Sequence, residues 1–424
     1  MKTSLFIFTH DLRIHDNPLL NTALEKSNAI YFLFCIDPLI TKSPYCFELP
    51  KKGPFNDQFL RESLEDLNRQ LNTINHSLNI TTKTLKIELA ELHNTHQFSK
   101  EFMSRYTTTE EVENIDKVNQ FCQNNDINFY HEDTNLLFSL DNYDQLFKKT
   151  PYSFTAFRKK IEKHWETFLQ PVLLKNHNVQ SLNTSFKLSI KKPPPSLIFN
   201  GGSNAGKNHL HDYIWESKAI KHYKFTRNQL LGKDYSSKFS LWLAHGCISP
   251  REIMTEVTKY EKDIGSSIST YWIWFELLWR DYFHILAHKL GPYFFDQKKD
   301  ALSIYMNTLS EIDQKNAAKY INAQTDSPFI NAGIKELKET GYISNRIRQN
   351  MASYWIHNLN LPWYAGALFF ESFLIDYDPA SNTGNWSYIA GKGAFKNKER
   401  RFNITSQEER YDPKHEYSKH WKTR

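Results

Sequence analysis

Over roughly Lys175 to Gly206 the chain turns polar, sets Pro193, Pro194 and Pro195 in a row, and closes on Gly201 and Gly202. Proline removes a backbone donor and fixes φ, so neither a helix nor a central strand runs through such a stretch. It reads as a linker, and the two sides of it carry different periodicities. On the N-terminal side, Leu5 to Phe8 and Ala29 to Ile36 are short apolar runs suited to strands, with a helix over Asn17 to Glu25 between them. Phe59, Leu60, Leu64, Leu67 and Leu71 then recur at the helical period, and a helix over Glu110 to Asn124 precedes a strand at Ile127 to Tyr130. Four or more such units imply a doubly wound parallel sheet. Beyond the linker, helical patterns dominate. The fold class is α/β: an N-terminal doubly wound parallel-sheet domain over residues 1–135, an interdomain linker over 136–209, and a larger all-helical domain over 210–424.

Charge and composition narrow the function classes. A net charge of +6 permits a polyanionic partner without demanding one, and residues 392–424 alone carry ten basic against five acidic side chains. That stretch is either a basic surface or a solvated tail. Cys35, Cys46, Cys122 and Cys247 have no metal-like spacing and read as buried free thiols. No apolar run reaches membrane-spanning length and the N-terminal apolar run is too short for a signal peptide, so a soluble, cytoplasmic protein is expected. Gly201 and Gly206-Lys207 match GxxxxGK, yet Asn208 stands where a magnesium-binding hydroxyl belongs and no buried strand precedes it. A phosphate loop is therefore not expected there.

Three segments carry chemistry. Tyr271 to Phe283, YWIWFELLWRDYF, reads as one aromatic helix in which Glu276 and Arg280 share a face with Trp272 and Trp279. Spacing alone leaves a buried helix with an internal Glu276–Arg280 ion pair as the competing account. Gly341 to Asn350 gathers Asn345, Arg346, Arg348 and Gln349 in a helical pattern that continues to Leu359, and so many donors want acidic partners. Asp376 and Asp378, beside Pro379, Asn382 and Gly384, offer three readings: a metal site, a helix cap, or partners for those arginines. Without further acidic ligands nearby, metal is the weakest, and none is expected.

Together these segments resemble the FAD-binding domain of DNA photolyases and cryptochromes, and within that family the cryptochrome DASH branch. DLRIHDNPLL at 11–20, FTAFRK from Phe154, YKFTRNQLLGKDYSSKFS at 223–240, HGCISPR at 245–251 and YDPKHEYSKHW near the end carry the same likeness in order. The resemblance implies FAD, blue-light repair of cyclobutane pyrimidine dimers as a deoxyribodipyrimidine photo-lyase, and a preference for single-stranded DNA, with a photoreceptor role as the alternative. It places the cofactor among Tyr223, Ser236, Ser237, Lys238, Phe239, Ser240, Arg280, Asn345, Arg348, Asp376, Tyr377, Asp378 and Asn382. It sets Glu276, Trp279, Arg227, Arg346, Gln349 and Tyr388 against DNA, with Glu276 on the dimer and Asn345 facing the reactive flavin nitrogen. Trp386 and Trp363 match the first two members of an electron relay; no Trp matches the third, for which Tyr305, Tyr320 or Trp355 are substitutes. Methenyltetrahydrofolate is the implied antenna, with Glu110 and Glu111 as the only contacts of interest; Ile7, Thr9, His10, Leu241 and Asn331 depart from the family pattern. A monomer is expected.

Overall fold

The computed structural model describes residues 3–36, 44–47, 49–151, 153–167, 171–175, 177–182, 186–188, 198–295, 310–395 and 399–422. Pro193 to Pro195 and Tyr305 fall outside them. The N-terminal half is built on strands β1 (Thr3–Phe8), β2 (Ala29–Cys35), β5 (Leu78–Thr81), β6 (Lys100–Met103) and β7 (Asn128–Tyr130), all parallel in the order β5-β2-β1-β6-β7. A short hairpin, β3 (Pro44–Cys46) and β4 (Leu49–Pro50), follows β2, and β8 (Gln180–Ser181) pairs with the start of β2.

The period of two in β1 explains the layering. Leu5 and Ile7 point to one face, where Leu89, Leu92, Ile115, Val118 and Cys122 of helices Leu85–His96 and Thr109–Asn124 cover them. Phe6 and Phe8 point to the other, under Leu19, Leu20, Leu64 and Leu67 of helices Pro18–Lys26 and Pro54–Asn72. A sheet buried on both faces must be apolar at every position, as β1 and β2 nearly are.

The C-terminal half is helical, as expected. Its longest element, Ile268–Leu290, contains the whole aromatic segment and opens with a capping box on Ser267 and Thr270. Two helices, Leu140–Leu146 and Phe154–Ile161, lie inside the stretch read as linker, because Leu140, Tyr143, Phe154, Phe157 and Ile161 bury themselves in the main core. Residues 404–422 are no solvated tail: helices Ile404–Tyr411 and Glu416–Lys422 dock through Tyr417 and Trp421, which are buried. Of the cysteines, Cys122 and Cys247 are buried while Cys35 is only half-buried.

The halves are locked by buried charge. Arg251 of the HGCISPR motif donates from Nε to Asp16 at 2.9 Å and from Nη1 to the Leu136 carbonyl at 2.9 Å. Arg13 donates to the Gly246 carbonyl at 2.8 Å. Gly246 has φ +66°, and a Cβ there would overlap the backbone of His10, so the motif needs glycine for the approach of the halves. The Gly201 and Gly202 amides donate to Glu62 and Ser63 at 2.7 and 2.9 Å, which leaves no phosphate cradle at the GxxxxGK match.

Candidate functional site

Helix Asn345–Ser353 is amphipathic in a particular way. Ile347 and Met351 enter the core, while Asn345, Arg348, Gln349 and Ala352 fall on the opposite face at helical spacing. That face and Ser381, Asn382, Asn385, Trp386 and Ile389 of helix Pro379–Ala390 enclose a cavity of about 70 Å³, closed at one end by Asp376, Tyr377 and Asp378. Two of the three segments singled out in the sequence therefore line one cavity. Helix Ile268–Leu290 stands behind it: Phe283 packs where Gly384 has no side chain, and His284 reaches Asp378 at 3.0 Å.

The charges of the cavity are settled by partners. Arg348 donates to Asp376 Oδ2 at 2.9 Å and, from Nε, to the Ile343 carbonyl at 3.0 Å. Burial alone would lower the guanidinium pKa, but Asp376 outweighs it and holds Arg348 charged. Ser240 Oγ donates to the same Oδ2 at 2.7 Å, while the buried Oδ1 has no protein partner. Asp378 caps its helix by accepting from the Ser381 amide at 2.6 Å, and it accepts from Tyr106 Oη at 3.0 Å and faces His284. Burial would raise its pKa; the charge and hydrogen bond of His284, with Arg280, bring it well below the usual carboxylate range instead. Asp376 and Asp378 are thus an arginine partner and a helix cap. Among the described residues no group of acidic, His or Cys side chains is arranged to hold a metal.

The Glu276–Arg280 ion pair does not form. Arg280 turns to the Asn135 carbonyl at 2.6 Å, and Glu276 pairs with Arg227. An i, i+4 pair is worth only about 0.3–0.5 kcal/mol, so a tertiary partner for each end displaces it. Trp279 stacks on Phe154 with centroids 3.8 Å apart and an angle of 12°, and lies 5.9 Å from Tyr388. Arg346 donates to Asn228 at 3.2 Å. Arg227, Glu276, Trp279, Arg346 and Tyr388 therefore lie outside the lining of the small cavity, while Gln349 is part of it.

The serine-rich turn joins the cavity through one residue. Ser240 binds Asp376, whereas Ser236 approaches Tyr342 Oη at 3.5 Å, the Ser237 carbonyl meets His209 at 2.8 Å, and Phe239 packs on Tyr213. Lys238, at φ +54°, lies 3.8 Å over the Tyr235 ring, and burial pulls its pKa down to about 8. Tyr223 is buried and lines neither cavity described here. Trp386 lines the small cavity, and both Trp386 and Trp355 border Gly366; Tyr320 stands 4.9 Å from Trp355. Phe154, Tyr106 and His284 were not singled out in the sequence. Only His284 had a local signal, two helical turns beyond Glu276 in the same helix.

The donor set fits a flavin. Asp376 Oδ1 is a buried acceptor without a protein partner, and Asn345 offers an amide that can donate or accept; Arg280 lines neither cavity. At about 70 Å³ the cavity is smaller than the cofactor, and the Ser240–Asp376 hydrogen bond is the contact at its wall that would part to admit it.

A second cavity, of about 660 Å³, lies at the C-terminal ends of β1, β2 and β6, lined by Thr9, His10, Ser104, Lys51, Glu110 and Glu111 and faced by Trp363, Glu371 and Asn382 from the helical half. This is the switch point of a doubly wound sheet, where ligands of such folds bind. Lys51 pairs with Glu110 and lies 3.7 Å from Glu371.

Comparisons with known proteins agree with this geometry. A family model described as DNA photolyase matches residues 4–175, and one described as the FAD binding domain of DNA photolyase matches 272–423. Cryptochrome DASH of Synechocystis sp. is 35% identical, the match covering 99% of this chain and 87% of that one. The crystal structure of a Synechocystis cryptochrome superposes with TM-score 0.88 at 36% identity, over 99% of this chain and 88% of that one. An archaeal photolyase from Sulfolobus tokodaii, described with two FAD molecules, gives TM-score 0.78 at 26% identity, over 99% and 90%.

Proposed function

Because the chain belongs to the DNA photolyase and cryptochrome family, on its cryptochrome DASH branch, we propose that it splits cyclobutane pyrimidine dimers with blue light, preferring single-stranded DNA. It would act as a cytoplasmic monomer. The observation that carries the reading is the convergence of Asn345, Arg348, Asp376, Asp378, Asn382 and Trp386 on one cavity with an orphaned acceptor at its wall. Bound there, FAD would absorb the light, lend the dimer an electron and take it back once the ring has opened. The side chains would bind and orient.

Arg348, held charged by Asp376, would keep a fixed positive charge at the wall of the cavity. Asn345 tolerates either protonation state of the atom it faces, where an acid would select one. Glu276, once released from Arg227, is free to accept from the dimer, and Arg227 and Arg346 to meet phosphate. The strand preference comes from the wall. Trp279 is held in its stack on Phe154, with Tyr388 beside it, which leaves a modest apolar surface for a flipped dimer. Extraction from duplex costs about a few kcal/mol of unstacking, and little from a single strand.

The larger cavity is our candidate for an antenna chromophore, with methenyltetrahydrofolate as the first ligand to test and a second flavin as the other. Its place at the sheet's switch point supports that, as does the lining by Glu110 and Glu111. The direct experiment is blue-light splitting of a thymine dimer in a single-stranded oligonucleotide and in its duplex. We expect splitting at least about ten-fold faster in the single strand, since one base step costs more than 1.4 kcal/mol to unstack. Equal rates would refute the strand preference; bound flavin with no splitting of either would favour a blue-light receptor.

A further inference from the structure

We propose that Phe225 stacks on an unpaired base of the bound strand, an assignment that rests on the DNA-directed reading above. Phe225 is 72% exposed, on the short helix Tyr223–Thr226, and it is one of few large apolar side chains so placed among the described residues. The backbone beneath it is held. Tyr223 is buried on one side of it, and the Lys224 amide donates to Ser269 at 3.2 Å on the other. The ring is thus presented on a fixed support rather than on a loose loop.

Its neighbours in the chain are cationic. Lys224 Nζ lies 3.2 Å and the Arg227 guanidinium 4.6 Å from the centroid of Trp272, so the two positive charges nearest Phe225 in sequence are seated on one aromatic face. Arg346 reaches Asn228 and sits 4.8 Å over Tyr411, with Arg410 at 5.4 Å from the same ring. Lys221 and His222, at the entry to the helix, are exposed. Of the acids nearby, Glu276 is engaged by Arg227, and Glu408 and Glu409 share the helix of Arg410.

A projecting ring on a cationic stretch of chain suits a polyanion that offers flat faces. Single-stranded DNA has both; a duplex hides its base faces in its own stack, and an acidic peptide offers charge without them. Phe225 therefore adds strand discrimination at a point away from the lesion, by holding a neighbouring base that only an unpaired strand can turn outward.

The test is binding of flavin-loaded wild type, Phe225→Ala and Phe225→Trp to a dimer-containing single strand and its duplex, by fluorescence anisotropy at several salt concentrations. Phe225→Ala is expected to weaken single-strand binding about ten-fold, within the range of one base–aromatic stack, and to leave duplex affinity within about two-fold. Its salt dependence should match wild type, since no phosphate contact is lost, and Phe225→Trp should restore affinity. Lys224→Ala is the contrast: it should lower the salt slope by about one on both substrates. Undiminished single-strand binding by Phe225→Ala, or an equal loss on duplex, overturns the assignment while leaving the DNA reading intact. Wild type binding neither substrate sinks that reading and this assignment with it.

Discussion

The two cavities settle their charges differently. In the small one, Arg348 and Asp378 are each held in the charged form, the one by Asp376 and the other by His284. In the large one the carboxylates outnumber their partners, and the result is uneven. Burial lifts Glu371 to about 7 despite Lys51. Glu111 goes the other way: burial would raise it, but bonds from His10 and Thr108 bring it to about 2. A site that must present a constant field to a redox group gains from the first arrangement; the second leaves one acid that titrates near neutrality.

The largest effect that would break this contrast is at Arg348. Arg348→Ala leaves Asp376 buried with Ser240 as its one side-chain donor among the described residues, and we expect a loss of about 3–5 kcal/mol together with loss of bound flavin. Thermal unfolding and flavin absorbance after gel filtration would read both. A variant that keeps flavin and melts like wild type would mean the pair is not structural to the site.

Asp378→Asn is the next. It keeps the helix cap but leaves His284 without its carboxylate, for an expected cost of about 2–3 kcal/mol at neutral pH. The sign with pH follows from the depressed pKa. The contribution is present above the ordinary carboxylate value of 3.8 and is lost as pH falls through the lower folded value, so the difference from wild type should shrink in acid. Denaturant midpoints across that range check it; a difference constant with pH would contradict it.

The smallest effect belongs to the large cavity. The pKa of Glu371 is raised from 4.5 to about 7, so the native state holds its proton over that interval and stability falls as pH rises through it. Glu371→Gln fixes the neutral form. It should match wild type near pH 5 and exceed it by roughly 1 kcal/mol at pH 8, a discounted share of the shift because Lys51 loses a partner. The reverse order at pH 8 would show that the Lys51–Glu371 attraction dominates.

Much of this was legible in the sequence, and what was not has a common cause. Strands β1 and β2, the helix carrying YWIWFELLWRDYF and the cap at Asp378 follow from local periodicity and turn chemistry. The meeting of residues 345–349 with 376–386 was one of three readings that the spacing of the two acids left open. The partner of Glu276 was not legible, because Arg227 competes with Arg280 only once the chain is folded. Phe154 gave no sign of its stack on Trp279, being far away in sequence. Charge left residues 392–424 between a basic surface and a solvated tail, because a count of charge says nothing about the docking of Tyr417 and Trp421.

The central claim is that the polar walls around Asn345, Arg348 and Asp376 close on a flavin. The absorption spectrum of the purified full-length chain, before and after incubation with FAD, tests it most directly. The account predicts close to one tightly held flavin per chain, retained through gel filtration; a colourless protein that takes up none would contradict it.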